Sequence, residues 1–371
     1  MSTTTGPATA ADAKPAATDA KPTPGPAATG PDASHGNAHV QLTGSGRPED
    51  HVVAGHGTRP AAGRGKVVVR VEAAGVSFAE VQMLQHLHPF PPKFPFVPGY
   101  DLVGRIVETG EGVTGRQAGD RVAAMPRHGA WQEYVEVPAK ALAAVPEHLD
   151  AAVAVSLITN GVTAYQMLHR LTALAPGSTV LVHGASGGVG TLLTQLAVHA
   201  GLRVIGTASP AKHDAVRALG AEPLDYRTPD LPAAVRELAP GGVDAVFDHI
   251  GGRGLDAGWA MLADGGTLVS FDSSVAGYRP GQWFRPHVPA LRRTAARWIA
   301  ARLRLTRGRR QSMYYVKPGD DFRADLAALY RLVDEGVLRP DIAGRHPLTA
   351  APAAVRALLD GTTVGKHVLI P

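Results

Sequence analysis

The sequence predicts an α/β protein with two unlike halves, an irregular β-barrel-like half followed by a doubly wound parallel sheet. From about His39 the chain is rich in short apolar strands broken by Gly and Pro. After about Val155 strands and helices alternate, the pattern of a parallel sheet covered on both faces. Where that alternation begins, a glycine-rich turn links a strand to a helix.

Residues 1–37 are mostly Ala, Thr, Pro, Gly, Asp and Lys, and are expected to be disordered because they cannot bury enough apolar surface to offset their ordering entropy. In the barrel half, 38–155, strands are expected at Lys66–Glu72, Tyr100–Val107 and Tyr134–Val137, with a short helix at Phe78–Gln85. In the sheet half, 156–313, strands at 179–183, 203–207, 223–226, 244–248 and 267–271 alternate with helices at 189–200, 211–219, 231–238 and 255–262. A basic helical insert occupies 279–312. The final stretch, 314–371, holds a helix and a strand, Lys366–Ile370, that returns to complete the first half.

Composition excludes several classes. The chain of 371 residues is long enough for two domains, and 44% of its residues are hydrophobic. It has no cysteine, so disulfides and the usual cysteine-containing zinc sites are ruled out. No secretory signal is evident and no apolar run reads as a bilayer span, so a cytoplasmic protein is expected. The net charge of +5 is local. Between Asp272 and Asp320 there is no acid but eleven cations, and the remainder is net acidic. A nucleic-acid-coating surface is therefore not indicated.

The central motif is His183-Gly-Ala-Ser-Gly-Gly-Val-Gly190. Ala185, Gly187 and Gly190 take the three small-residue positions of a dinucleotide fingerprint, and Gly188 and Val189 open the helix. The helix N-terminus offers free N–H donors to a pyrophosphate. At the end of the next strand an NAD-preferring site would carry an acid for the ribose 2′-OH. Here Thr207-Ala-Ser-Pro-Ala-Lys212 has none. Ser209 and Lys212, with Tyr226 and Arg227 after the third strand, instead suit a 2′-phosphate, which favours NADPH.

An ordered set of segments resembles the medium-chain dehydrogenase/reductase superfamily. They are Ala73–Val76, Phe96–Gly99, Ala118–Val122, Gly161–Tyr165, the glycine motif, Leu219–Ala221 and Asp264–Leu268. The resemblance implies a GroES-like barrel domain joined to a Rossmann domain, with the active site between them. Zinc-dependent members carry Gly-His-Glu where this chain has Gly99-Tyr100-Asp101. With no cysteine either, the chain resembles the zinc-free quinone oxidoreductase branch. That branch implies Thr163, Gly251, Gly252, Phe271, Ser273, Ser274, Gly365 and Lys366 around the cofactor. It also suggests a homodimer, with edge pairing of the Rossmann sheets as one arrangement.

In this reading hydride passes from NADPH to a quinone or α,β-unsaturated carbonyl, an acceptor that needs little Lewis-acid help. Ser77, Asn160 or a water can donate to the resulting oxyanion, and His86 and His88 are candidate proton donors weighed against ordinary loop histidines. Two alternatives remain: an enoyl-thioester reductase, and a low-turnover NADPH-binding adaptor. The second would use Leu291–Leu305, a helix with Leu291, Ala295, Trp298, Ile299 and Leu303 on one face and arginines on the other. Such a helix serves either as a membrane-surface element or as a lid or dimer helix.

Overall fold

The computed structural model describes the chain from residue 36 onward, except residues 86, 89–91, 253 and 272–287. Nearly all of the expected disordered tail, with His86, Ser273 and Ser274, lies outside the described residues. Gly36 and Asn37, placed by composition in that tail, open the first strand instead.

The first half begins with a two-stranded antiparallel ribbon, β1 (Gly36–Leu42) and β2 (Val52–Thr58), joined by α1 (Pro48–His51). Then follow β3 (Lys66–Val76), α2 (Phe78–Leu84), β4 (Leu102–Thr109), β5 (Arg121–Ala124), β6 (Tyr134–Pro138) and β7 (Ala143–Ala144). These strands enclose the fully buried Trp131, whose indole donates to Gly75 O at 3.0 Å. In β3 the consecutive Val67, Val68 and Val69 are all buried, so both faces of the strand are covered there, while Arg70 reaches solvent.

A continuous helix, Ala151–Leu171, crosses from one half to the other. It comprises α3 (Ala151–Ser156), a π turn (Leu157–Gly161) and α4 (Val162–Leu171). This corrects the reading that no segment is long and apolar enough to span a bilayer. By length and composition this one is, but 72% of its most apolar window is buried within the fold, as suits a core helix. The π turn places Asn160 against Gly188 of the second half, an irregularity frequent at functional sites.

The second half is a six-stranded, all-parallel sheet. Its elements are β8 (Thr179–Val182), α5 (Gly188–His199), β9 (Arg203–Ala208), α6 (His213–Ala218), β10 (Glu222–Asp225), α7 (Leu231–Leu238), β11 (Val243–Asp248), α8 (Gly254–Met261), β12 (Leu262–Ser270), α9 (Val288–Arg302) and β13 (Arg310–Met313). The order is β10-β9-β8-β11-β12-β13, the doubly wound order, with its switch point between β8 and β11. Alternation divides the core cleanly. Val180, Val182, Val204 and Phe247 join the large cluster shared with the barrel half, whereas Leu181, Ile205, Val246 and Leu268 form a second cluster under α7 and α8.

The chain ends with α10 (Asp320–Asp334), β14 (Ile342–Pro347), α11 (Ala351–Asp360) and β15 (Lys366–Ile370). β15 pairs antiparallel with β3, so the C-terminus returns to the first half and makes the sheet β14-β15-β3-β4-β5-β7, with β6 also on β3.

Candidate active site

The glycine motif forms the turn between β8 and α5. Gly187 caps α5, and the first intrahelical bond is Thr191 N–H to Gly187 O at 2.9 Å. The N–H groups of Gly188, Val189 and Gly190 therefore precede the helical ladder and face the end of the turn. A side chain on Gly190 would collide with Gly184 O, so only glycine allows the turn to close. Ala185 is fully buried and packs where Gly206 leaves room. Thr207 anchors the turn from β9: its hydroxyl accepts from Gly184 N–H at 3.1 Å, and its carbonyl accepts from Ala185 N–H at 3.0 Å. The outer rim comes from the C-terminal segment, where Gly365 N–H donates to Ser186 O at 3.2 Å and Gly365 bridges Gly187.

At the end of β9 the turn is free of acids until Asp214. Ser209 is half-buried and Tyr226 is exposed. The Lys212 ammonium has other partners than expected. It donates to Gly361 O at 2.6 Å and Thr363 O at 2.7 Å, tying the second half to the end of α11. One of its three N–H bonds is left for a phosphate. Arg227 lies over the Tyr226 ring at 5.7 Å and pairs with Asp225.

The switch point is lined by β8 and β11. Asp248 is fully buried; one carboxylate oxygen accepts from Gly251 N–H at 2.8 Å and the other has no partner. Burial holds His183 well below the ordinary histidine range, at about 4, so the ring is neutral at physiological pH. His249 lies 6.1 Å from the Phe271 ring, and Phe271 N–H donates to Asp248 O. Thr163 is buried on α4 beside Tyr314, whose hydroxyl donates to Gln166 Oε1 at 2.8 Å. Gln166 and Arg170 in turn donate to Asp325. Nothing in the spacing of these last residues signals the chain.

The barrel side supplies a buried polar cluster. Lys366, expected beside the cofactor, belongs to this cluster. Its ammonium donates to Asp101 Oδ2 at 3.1 Å and Ser77 Oγ at 3.2 Å, and both members of the ion pair are buried. A side chain on Gly75 would strike both Asp101 and Lys366, so the glycine makes room for the pair. Thr159 N–H donates to Asp101 Oδ2 at 3.2 Å, and Asn160 next to it reaches Gly188 at the start of α5. The cluster thus touches the nucleotide turn through two residues of the π turn.

Ser77 caps α2 in a capping box with Glu80: Ser77 N–H donates to Glu80 Oε2 at 2.7 Å, and Ser77 Oγ accepts from the Glu80 N–H. Glu80 is almost completely buried, its other oxygen is unpartnered, and burial pushes its carboxyl up to about 8. Sequence reasoning missed Glu80, although Ser77-x-x-Glu80 is a readable capping signal. His88 follows α2 and is buried. Tyr100 and Tyr315 share a hydrogen bond of 2.7 Å, and this bond together with burial raises the Tyr100 hydroxyl above its usual value.

Residues 63–147 match the family described as alcohol dehydrogenase GroES-like domain, and residues 219–369 the family described as zinc-binding dehydrogenase. The chain is 33% identical over 320 residues to the human synaptic vesicle membrane protein VAT-1 homolog, covering 84% of this chain and 80% of that protein. A mycobacterial protein solved in complex with NADPH is 30% identical, with a TM-score of 0.77 over 90% of this chain and all of its own. A quinone oxidoreductase of Pseudomonas syringae is 27% identical, with a TM-score of 0.76 over the same shares.

Proposed function

Because the chain belongs to the zinc-free, quinone oxidoreductase-like branch of the medium-chain dehydrogenase/reductase superfamily, we propose that it reduces a quinone or α,β-unsaturated carbonyl with NADPH. The observation that carries this reading is the contact between the glycine turn at the head of α5 and the buried Ser77–Lys366–Asp101 cluster, which joins a pyrophosphate cradle to an oxyanion donor.

The cradle fits NADPH. Ala185, Gly187, Gly188, Val189 and Gly190 would hold the pyrophosphate, and Ser209, Lys212 and Tyr226 the 2′-phosphate. Thr163, Gly251 and Phe271 would surround the nicotinamide end. Bound NADPH supplies the hydride. The donor set does not fit zinc: the chain has no cysteine, and Asp101, in the segment where zinc-dependent members carry ligands, is already neutralised by Lys366.

Ser77 is the oxyanion donor. Its oxygen accepts from the Lys366 ammonium, and its single O–H proton is the one it would donate to the substrate. The ammonium behind it polarises that proton toward the oxygen on which charge develops. Asn160, beside Gly188, is the second donor, and His88 is the candidate proton source. The molecule acts as a cytoplasmic homodimer in this reading, with β13, the edge strand of the sheet among the described residues, as the place for pairing. An enoyl-thioester substrate is the alternative acceptor, since it presents the same conjugated carbonyl.

The test uses NADPH deuterated at C4 with an enone acceptor. Deuterium at the β-carbon of the product, read by mass spectrometry, is the expected result. Oxidation of NADPH without deuterium transfer to carbon, or no oxidation with any conjugated acceptor, contradicts it.

A further inference from the structure

Helix α9 is turned the wrong way for a core helix. Of the apolar row read from its sequence, Trp298 and Ile299 on the helix and Leu303 just beyond it face outward, and Leu305 in the following turn joins them; all four are 62–73% exposed. The inward face carries Arg297, which donates to Gln311 Oε1 at 2.8 Å and to Asp256 Oδ1 at 2.5 Å and lies 5.0 Å over the Trp259 ring. Contiguous exposed apolar surface of this kind marks an interaction site.

Beside the row is a cleft of about 420 Å³ lined by Trp259, Ala296, Arg297, Leu305, Arg307 and Arg309, among others. Its cations outnumber its counterions. Arg307 and Arg309 share Asp264 at 4.0 and 3.4 Å, and the buried Nε of Arg309 has no hydrogen-bond partner. Among the described residues, Arg292, Arg302 and Arg304 make no ion pair, and no acid occurs between Asp272 and Asp320.

We propose that α9 and this cleft form a docking site for an anionic lipid surface. The Arg307 and Arg309 guanidiniums receive the phosphate or carboxylate of a headgroup, and Trp298, Ile299, Leu303 and Leu305 enter the acyl boundary. Cations flanking an exposed apolar row are the chemistry of an interfacial helix. A free phosphate would leave the apolar row uncovered. A second copy meeting this face about a twofold axis would bring like arginines together. No residue of the nucleotide site is involved, so the inference stands apart from the reductase reading.

The experiment sediments the full chain with vesicles of phosphatidylcholine alone or of phosphatidylcholine mixed with phosphatidylserine. Binding to the mixed vesicles only, weakening with added salt, is expected. The variants R307Q/R309Q and W298S/L303S should each bind roughly tenfold more weakly while melting at the wild-type temperature. Three results overturn the proposal: no binding to the mixed vesicles, undiminished binding by both correctly melting variants, or conversion of a dimer to a monomer by W298S/L303S in sedimentation velocity.

Discussion

Ser77 is where local structure and chemistry meet. As the cap of α2 it accepts from Glu80 N–H, and as a neighbour of Lys366 it accepts from a buried ammonium. Substituting Ser77→Ala removes the O–H and should lower kcat by roughly 100-fold, the scale of a lost oxyanion donor. NADPH affinity, read by fluorescence titration, should be unchanged; a matching loss of affinity with kcat kept would make Ser77 a binding residue. Glu80 gives a prediction in pH. Its folded-state carboxyl titrates at about 8, above the ordinary 4.5, so its favourable contribution is present below about 4.5 and is lost as pH rises through about 8. Across that window the folded state holds a proton that the unfolded chain has released. Glu80→Gln keeps an acceptor for Ser77 N–H and removes the titration. Wild-type stability in urea should therefore fall relative to Glu80→Gln between about pH 5 and pH 9, by up to about a few kcal/mol. A difference that does not vary with pH would show that Glu80 does not titrate there.

At the scale of elements, the sheet of the second half was legible because its strands are short apolar runs and its helices carry period-3.6 stripes. The glycine turn was legible for a different reason: a close approach can be made only by residues without a side chain. Gly190→Ala would push a methyl into Gly184 O, a backbone atom that cannot swing aside. It should weaken NADPH binding at least roughly tenfold, measured by calorimetry, with little change in secondary structure. Unaltered affinity would mean that the turn does not cradle the phosphates. The long-range pairings were not legible. Nothing local tells that Lys366 turns to Asp101, 265 positions away, or that Lys212 spends two of its N–H bonds on the end of α11. The stripe on α9 was readable, but its direction was not, because periodicity fixes which residues share a face and not what that face meets. The π turn was hidden too, since Asn160 and Gly161 sit in an otherwise uninterrupted helical pattern.

In the whole molecule, the returning C-terminal segment, like the crossing helix, brings the halves together. β15 completes the barrel-side sheet on β3, Gly365 bridges the glycine turn, and Lys366 enters the Ser77 cluster within one residue of that bridge. The Lys212 contacts to Gly361 and Thr363 add a second tie. In the proposed reading, cofactor choice depends on how the halves meet as well as on the acid-free turn after β9. The most direct test is the steady-state kcat/KM for NADPH and for NADH with one quinone acceptor, in the wild type and in Ser209→Glu. The account predicts turnover with strong preference for NADPH, and a preference reduced or reversed by the introduced carboxylate. Turnover with NADH alone, or a preference that Ser209→Glu leaves untouched, would contradict it.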